Sequence, residues 1–375
     1  MPESADTRSW SGTFMSSSKK NAASVSLALY LAMGLAPGKT ALVERASNLL
    51  KADLLTGMVG EFPGLQGVMG REYAIRSGED YEVALAIEEH YMPVRAGGAL
   101  PKTVVGSILS MADKVDTICA MFAIGLQPSG TQDPYALRRL ALGVLSVIED
   151  KVFFISLKAL LTEALILVAR HVKGKNFEIE QVLGEVLAFF QGRFVNNLTS
   201  SGIEADTVKA AVRAGFNDIL DCLKRANAIS KIRMQSGGIQ FEKTLSQRVA
   251  DTTEVTERQP SEFESLCTVF KRIMNILKGF HGGDINPSLL VEPQEKALFQ
   301  AYAEIEPTVK GLLDNREYEA ALYILLSLKP TVDSFFDHVM VMSEDEVIRT
   351  NRLSLLWWIA GLFLRVGDLS AISIK

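Results

Sequence analysis

The run Ser343–Gly367, SEDEVIRTNRLSLLWWIAGLFLRVG, decides the fold class. Leu355, Leu356, Ile359, Leu362, Phe363 and Val366 recur at the spacing that gathers apolar side chains on one face of a helix. Ser343 and Glu346 stand three apart, as in a capping box, where side chain and backbone satisfy each other's first-turn N–H groups. Glu344 and Asp345 fall on the first turn, where the helix dipole favours anions. Arg365 lies in the expected last turn, and Gly367 follows at a C′ position. The run reads as one long, largely buried helix.

Working outward, the same periodicity dominates. Leu42, Ala46, Leu49, Leu50 and Leu54 fall on one helical face. Tyr81–Tyr91 reads as a helix stopped by Pro93, and Thr103–Phe122, nearly all small or apolar, as a buried one. Ala136–Ile148 restarts a helix after a turn-rich loop, and residues 153–232 alternate helical periodicity with short polar breaks. Strand-like alternation is almost absent, so the expected fold class is all-α. A chain of 375 residues exceeds one ordinary core. The expected division is a leader over 1–40, partly disordered in its Ser-rich first residues, then a helical domain over 41–150 and a helical connecting region over 151–233. A linker over 234–262, where periodicity gives way to Gly, Ser, Thr and Gln, precedes a C-terminal helical bundle over 263–375.

Composition narrows the function classes. With 39 basic and 44 acidic residues the net charge is −5, so any nucleic-acid contact must use local basic faces rather than the whole-chain field. Cys119, Cys222 and Cys267 are far apart and odd in number, which reads as reduced, buried thiols rather than a disulfide or zinc framework. No run reaches the ~18 apolar residues of a spanning helix. No membrane role is expected, and the cytoplasm is the expected compartment. An organelle is the other compartment compatible with the Ser-rich, acid-poor start, which also resembles a targeting segment.

Gly34–Thr40, GLAPGKT, ends like a phosphate loop, but Met33 occupies the place of the first required glycine. No nucleophile elbow and no histidine pair spaced for a metal is present. The polar constellation that remains is Asp53, His90 and Asp113, each on an expected helix, with Asp113 and Asp116 on a common face. Imidazole and carboxylates converging from three helices is how a helical metallophosphohydrolase holds a divalent ion. The helix order and the run ADKVD resemble the HD superfamily of such enzymes. That family requires an adjacent His-Asp pair, whereas this chain reads Lys51-Ala52-Asp53. Half of the ligand set is missing, so the trio reads as a degraded site of buried polar anchors, with no catalytic residue and no metal assigned.

Read whole, the same stretch is more specific. Residues 45–70 (RASNLLKADLLTGMVGEFPGLQGVMG), 83–97 and 111–143, with the run DPYALRR at Asp133–Arg139, resemble the HD-like domain of the glycyl-tRNA synthetase β subunit. Residues 318–341 (YEAALYILLSLKPTVDSFFDHVMV), 349–356 and 362–370 are similar to that subunit's helical anticodon-binding domain. The resemblance covers about 41–375, is weaker over 150–260, and does not extend to 1–40. It implies the tRNA-gripping part of a ligase that joins glycine to its tRNA using ATP and Mg. It also implies a separate α subunit holding the adenylate site, glycine tRNA as partner, no DNA, no cofactor in this chain, and no catalysis by the chain alone. The other readings are a stand-alone HD-type metal-dependent phosphohydrolase and a non-catalytic scaffold that binds tRNA or a synthetase.

For tRNA contact the candidates are Arg349, Asn351 and Arg352 near the start of the last helix, Lys224 and Arg225 in a local basic stretch, and Arg138 and Arg139 at a helix start. Such side chains would meet phosphates and splayed bases. The alternatives are that Arg349 and Arg352 pair with Glu344, Asp345 or neighbouring loops, that Lys224 and Arg225 lie on a solvated face, and that Arg138 and Arg139 pair with Asp133 or another domain's carboxylates. Trp357 and Trp358, roughly 100° apart on a helix, cannot both be central in one core face.

Overall fold

The computed structural model describes residues 22–171, 177–248 and 261–374. Among them there are helices and turns, one isolated bridge between Ser129 and Gln132, and no strand. The all-α expectation holds. The chain forms two compact units, one of residues 1–197 with 217–220, the other of 198–216 with 221–375. The expected connecting region 151–233 is thus divided between the units. Most of the expected linker, from 249 to 260, lies outside the described residues.

The first unit begins with α1 (Ala22–Leu35), α2 (Thr40–Leu49), α3 (Gly57–Glu61), α4 (Val68–Arg76) and α5 (Tyr81–Glu89). It continues with α6 (Val104–Ala123), α7 (Leu137–Lys151), α8 (Leu157–His171) and most of α9 (Ile179–Ser200). Helix α6 is the axis of the unit, packing on α1, α2, α5, α7 and α8. Val105, Ile108, Leu109, Met111, Val115, Ile118 and Cys119 on it are fully buried. The small-and-apolar composition that predicts burial is what lets five helices surround it. Thr103 caps α6 by accepting the Gly106 N–H, and Asp80 caps α5 by accepting from Glu82.

Two expectations change here. The helix expected at Leu27–Gly34 is longer and belongs to the core: Leu27, Ala28, Leu31 and Ala32 are buried, and the Ser24 hydroxyl donates to Asp116 on α6 at 2.6 Å. Only residues 1–21 of the expected leader lie outside the described residues. The helix expected to carry Leu54 stops at Leu49, because Lys51 takes a left-handed φ of 60° and Ala52–Leu55 form a 3-10 turn. Leu54 is consequently exposed.

The second unit holds α10 (Ala205–Arg213), most of α11 (Ile219–Arg248), α12 (Glu262–Ile276), α13 (Pro293–Asp314), α14 (Tyr318–Leu326), α15 (Lys329–His338) and α16 (Glu346–Leu364). A complete capping box of Ser261 and Glu264 starts α12. Phe263 and Phe270 of α12, Phe335 of α15 and Phe363 of α16 are buried, with Phe270 and Phe363 centroids 5.4 Å apart. Each such side chain contributes about 1.5–3 kcal/mol by leaving water. The predicted apolar face of α16 is buried throughout, from Leu355 to Val366.

The caps of α16 differ from expectation. Asp345, not Ser343, caps the helix, its carboxylate accepting from the Val347 and Ile348 N–H groups. Asp345 is the residue next to the helix, and its carboxylate reaches two first-turn donors from there. Gly367 is required for space rather than for a left-handed turn: a Cβ there would lie 2.7 Å from Ile229 Cδ1 and 3.4 Å from the Ala210 carbonyl oxygen.

Candidate functional site

In the first unit α5, α6 and the turn after α2 bring the HD-like trio together. Asp53 is fully buried, and its two oxygens accept from the Gly67 N–H at 2.7 Å and the Tyr91 hydroxyl at 3.0 Å. Gly70 permits this approach, since a Cβ there would meet Ile87 and Asp53. His90 is also fully buried. Its Nδ1 faces the Ile87 carbonyl at 2.6 Å, and a carbonyl can only accept, so Nδ1 carries the proton. Burial, opposed by the nearby Asp113 charge, pushes the imidazole down to about 4, so it is neutral at pH 7. Nε2 has no partner.

The third member, Asp113, is ion-paired with the Lys51 ammonium. Lys51, two residues before Asp53, therefore supplies an internal cation, while Ala52 stands where the HD pattern has histidine. Lys114, buried beside it, donates to the carbonyls of His90 at 3.1 Å and Met92 at 2.7 Å and to Ser110 Oγ at 2.8 Å. Burial pushes its ammonium down to about 8. The Lys51 ammonium paired to Asp113 opposes a divalent ion there, and Asp53 already serves two donors. The residues do not fit a metal: among the described residues no group of three or more His, Cys, Asp or Glu is arranged to hold one. Asp53 and His90 are buried polar anchors, and Asp113, half-buried, is one half of an ion pair.

The phosphate-loop-like run is likewise occupied, with Lys39 paired to Glu82 at 2.7 Å. Cys119, Cys222 and Cys267 are buried thiols outside any disulfide. Among the described residues no helix is long and apolar enough to cross a membrane.

The candidate cations separate into two groups. Arg352 is buried: its Nε donates to Glu295 and its Nη1 to the Met340 carbonyl at 2.8 Å. Arg225 is buried too, bonded to Asp221 at 2.9 Å and to the carbonyls of Ala211 at 2.5 Å and Gly215 at 2.6 Å. Asn351 is buried and holds Asn286 by two bonds, accepting its N–H at 2.7 Å and donating to its carbonyl at 3.1 Å. These three are corrected from RNA contacts to struts of the bundle, because their donors are directed inward.

Arg349 is half-buried and donates to the Ser343 carbonyl at 3.3 Å. Arg138 donates to the Gly130 carbonyl at 2.6 Å. The expected Arg138–Asp133 pairing is a backbone one: the Asp133 carboxylate accepts the N–H groups of Leu137 and Arg138. Arg139 and Lys224 are exposed. Lys224 lines an open cleft with Asn227, Lys231, Arg316 and Tyr323, where Lys231 pairs with Glu319 at 2.8 Å.

The structure adds a basic face that the sequence reading missed. Lys271, Arg272, Asn275 and Lys278 are exposed on or just after α12, opposite its buried Phe263, Leu266, Phe270 and Ile273. Arg272 lies 4.2 Å over the Phe336 ring. The signal was available in the run KRIMNILK, whose Lys271 and Lys278 stand two turns apart on the polar side of an amphipathic helix.

With this geometry in place, comparison with known proteins decides the family. The family model described as glycyl-tRNA synthetase beta subunit matches residues 11–213, and that of the DALR anticodon binding domain matches 266–366. The chain belongs to the glycyl-tRNA synthetase β-subunit family. Among curated relatives, the glycine–tRNA ligase beta subunit of Trichlorobacter lovleyi is 41% identical over 342 residues, covering 91% of this chain and 46% of the relative. That of Geotalea uraniireducens is 42% identical over 348 residues, covering 92% and 46%. That of Geobacter metallireducens is 41% identical over 347 residues, with the same coverage. The chain spans about half the length of the curated relatives it matches.

The β-subunit match begins at residue 11, so the likeness extends into the segment first read as an unmatched leader. It includes the closed HD-like trio, Arg138 and Arg139. The anticodon-binding match holds α12–α16 and with them the basic face of α12, Arg349, Asn351 and Arg352. Lys224 and Arg225 fall between the two matches.

Proposed function

We propose that this chain is the tRNA-binding portion of a glycine–tRNA ligase β subunit. It works with a separate α subunit that forms glycyl-adenylate from glycine, ATP and Mg, and glycine tRNA is the partner it grips. The observation that carries the reading is the ordered pair of family matches on two compact helical units, an HD-like one and an anticodon-binding one. The chemistry of the first unit agrees. Its polar trio is held by internal donors and cations, so the unit acts as a scaffold and not as a phosphohydrolase. The second unit supplies the local basic face that a net-acidic RNA binder requires.

In this reading the chain carries no adenylate chemistry and no catalytic residue, and it works in the cytoplasm. The test is reconstitution. Purified chain is mixed with a glycyl-tRNA synthetase α subunit, ATP, Mg and glycine tRNA, and charged tRNA is measured with and without the chain. Stimulation of charging, with none by the chain alone, supports the proposal. Charging unaffected by the chain, in a mixture where a full-length β subunit stimulates it, argues for a scaffold role instead.

A further inference from the structure

Helix α16 carries two adjacent tryptophans that leave the core. Trp357 and Trp358 are each 39% exposed, on the face opposite the buried Leu355–Ile359 stripe. Both are fixed in place. The Trp358 indole N–H donates to the Gly283 carbonyl at 2.9 Å. Trp357 meets the edge of Phe280 with centroids 6.2 Å apart, and Gly282, at a φ of 95°, has no Cβ to hold the turn away from the indole. The turn itself is tied to α16 through Asn351 and Asn286. Exposed aromatic rings held rigid by their neighbours are stacking surfaces whose ordering entropy has already been lost.

The charges around them are mostly positive. Lys310 lies 5.6 Å from the Trp358 ring and is also bonded to Glu306 at 2.6 Å. Lys278 is two residues before Phe280, and Lys271 lies two helical turns further back on the same side of α12, with Asn275 between them. All three are exposed, and among the described residues Lys271 and Lys278 have no ion-pair partner. His281 is exposed on the turn. Glu306 beside Lys310 and Asp284 on the turn are carboxylates of this surface, and Asp314, one turn past Lys310, is paired with Arg365.

The geometry points to a single-strand RNA platform. Unpaired bases stack on Trp357 and Trp358, while the backbone of the same strand runs past Lys278 toward Lys271. This deepens the proposed function and rests on it, since it names where the second unit holds the unpaired nucleotides of its tRNA. Rigid aromatics combined with a line of cations and an amide match single-stranded RNA better than a protein surface, because each base offers a π-face and each nucleotide a phosphate at regular spacing.

The test uses the full chain. Binding is titrated against glycine tRNA, an anticodon stem-loop of that tRNA and a fully duplex RNA of equal length, for wild type, Trp357→Ala, Trp357→Phe, Trp358→Ala and Lys278→Glu. Circular dichroism and thermal unfolding monitor the fold of each variant. The alanine variants are expected to lose about tenfold in affinity for tRNA and stem-loop. Trp357→Phe should recover most of it, and Lys278→Glu should lower the slope of log affinity against log salt by at least one. Lys278 is exposed, so its variant keeps the proposal testable should a tryptophan variant fail to fold. Wild-type binding of glycine tRNA with unchanged affinity in every folded variant overturns the platform and leaves the tRNA reading standing. Wild type binding no RNA at all overturns both. Variants that bind tRNA normally but lose association with an α subunit would reassign the surface to a protein partner.

Discussion

Replacing Glu295 with alanine removes the partner of a buried guanidinium. The Arg352 and Glu295 side chains are 8% and 1% exposed, so neither charge can recover its hydration by a local shift. Glu295 also accepts the N–H groups of Val291 at 2.7 Å and Glu292 at 3.3 Å, which lose their partner together with the ion pair. Breaking a buried pair from one side costs about 3–5 kcal/mol, because an uncompensated charge stays inside. With a guanidinium m-value of roughly 2–6 kcal/mol/M, the unfolding midpoint should fall by at least about 0.5 M. The assay is guanidinium unfolding followed by tryptophan fluorescence, since Trp357 and Trp358 report on the same helix as Arg352. Arg352→Met should be less damaging, because Glu295 keeps two backbone donors. A Glu295→Ala variant within about 0.5 kcal/mol of wild type, well below the buried-pair range, would refute the strut assignment and return Arg352 to the list of RNA contacts.

Four further outcomes are expected. His90 has its imidazole pushed down to about 4 in the fold, against 6.5 when exposed. The unfolded chain therefore binds more protons, and about 3 kcal/mol of stability present above pH 6.5 is lost as pH falls through 4. Comparing wild type with His90→Leu at pH 7 and pH 4.5 should show the excess acid sensitivity in wild type alone. Purified chain should hold no stoichiometric manganese or zinc by elemental analysis, and a bound metal with phosphatase activity would reinstate the HD hydrolase reading. Arg225→Ala, which takes the guanidinium from two carbonyls and removes one of the donors to Asp221, should unfold the second unit at markedly lower temperature in a melting scan. Arg139→Glu on an exposed position should melt within a degree or two of wild type.

The helices were legible because burial writes itself as periodicity: α6 and α16 lie within a few residues of where spacing places them. The gap in the HD-like pattern was legible too, since Ala52 in place of the histidine before Asp53 is visible in one dimension. What the sequence hid was the direction of its cations. Arg352 and Arg225 look like surface charges until their registers are counted. Arg352 lies on the stripe of Leu355, Leu356 and Ile359, and Arg225 on that of Cys222 and Ile229, all buried. A cation on an apolar stripe is directed inward and must find acceptors there. The same count, applied to α12, separates Lys271 and Lys278 from the core and finds the basic face. The fold of Gly282 against Trp357 depends on a turn and a helix far apart in sequence, and no local pattern foretells it.

The central claim is that this chain grips glycine tRNA. The most direct measurement is a binding titration of purified chain against glycine tRNA and a non-cognate tRNA at several salt concentrations. The account predicts micromolar or tighter binding that weakens steeply with salt and prefers the glycine tRNA. Absent binding, or equal affinity for both tRNAs, would contradict it.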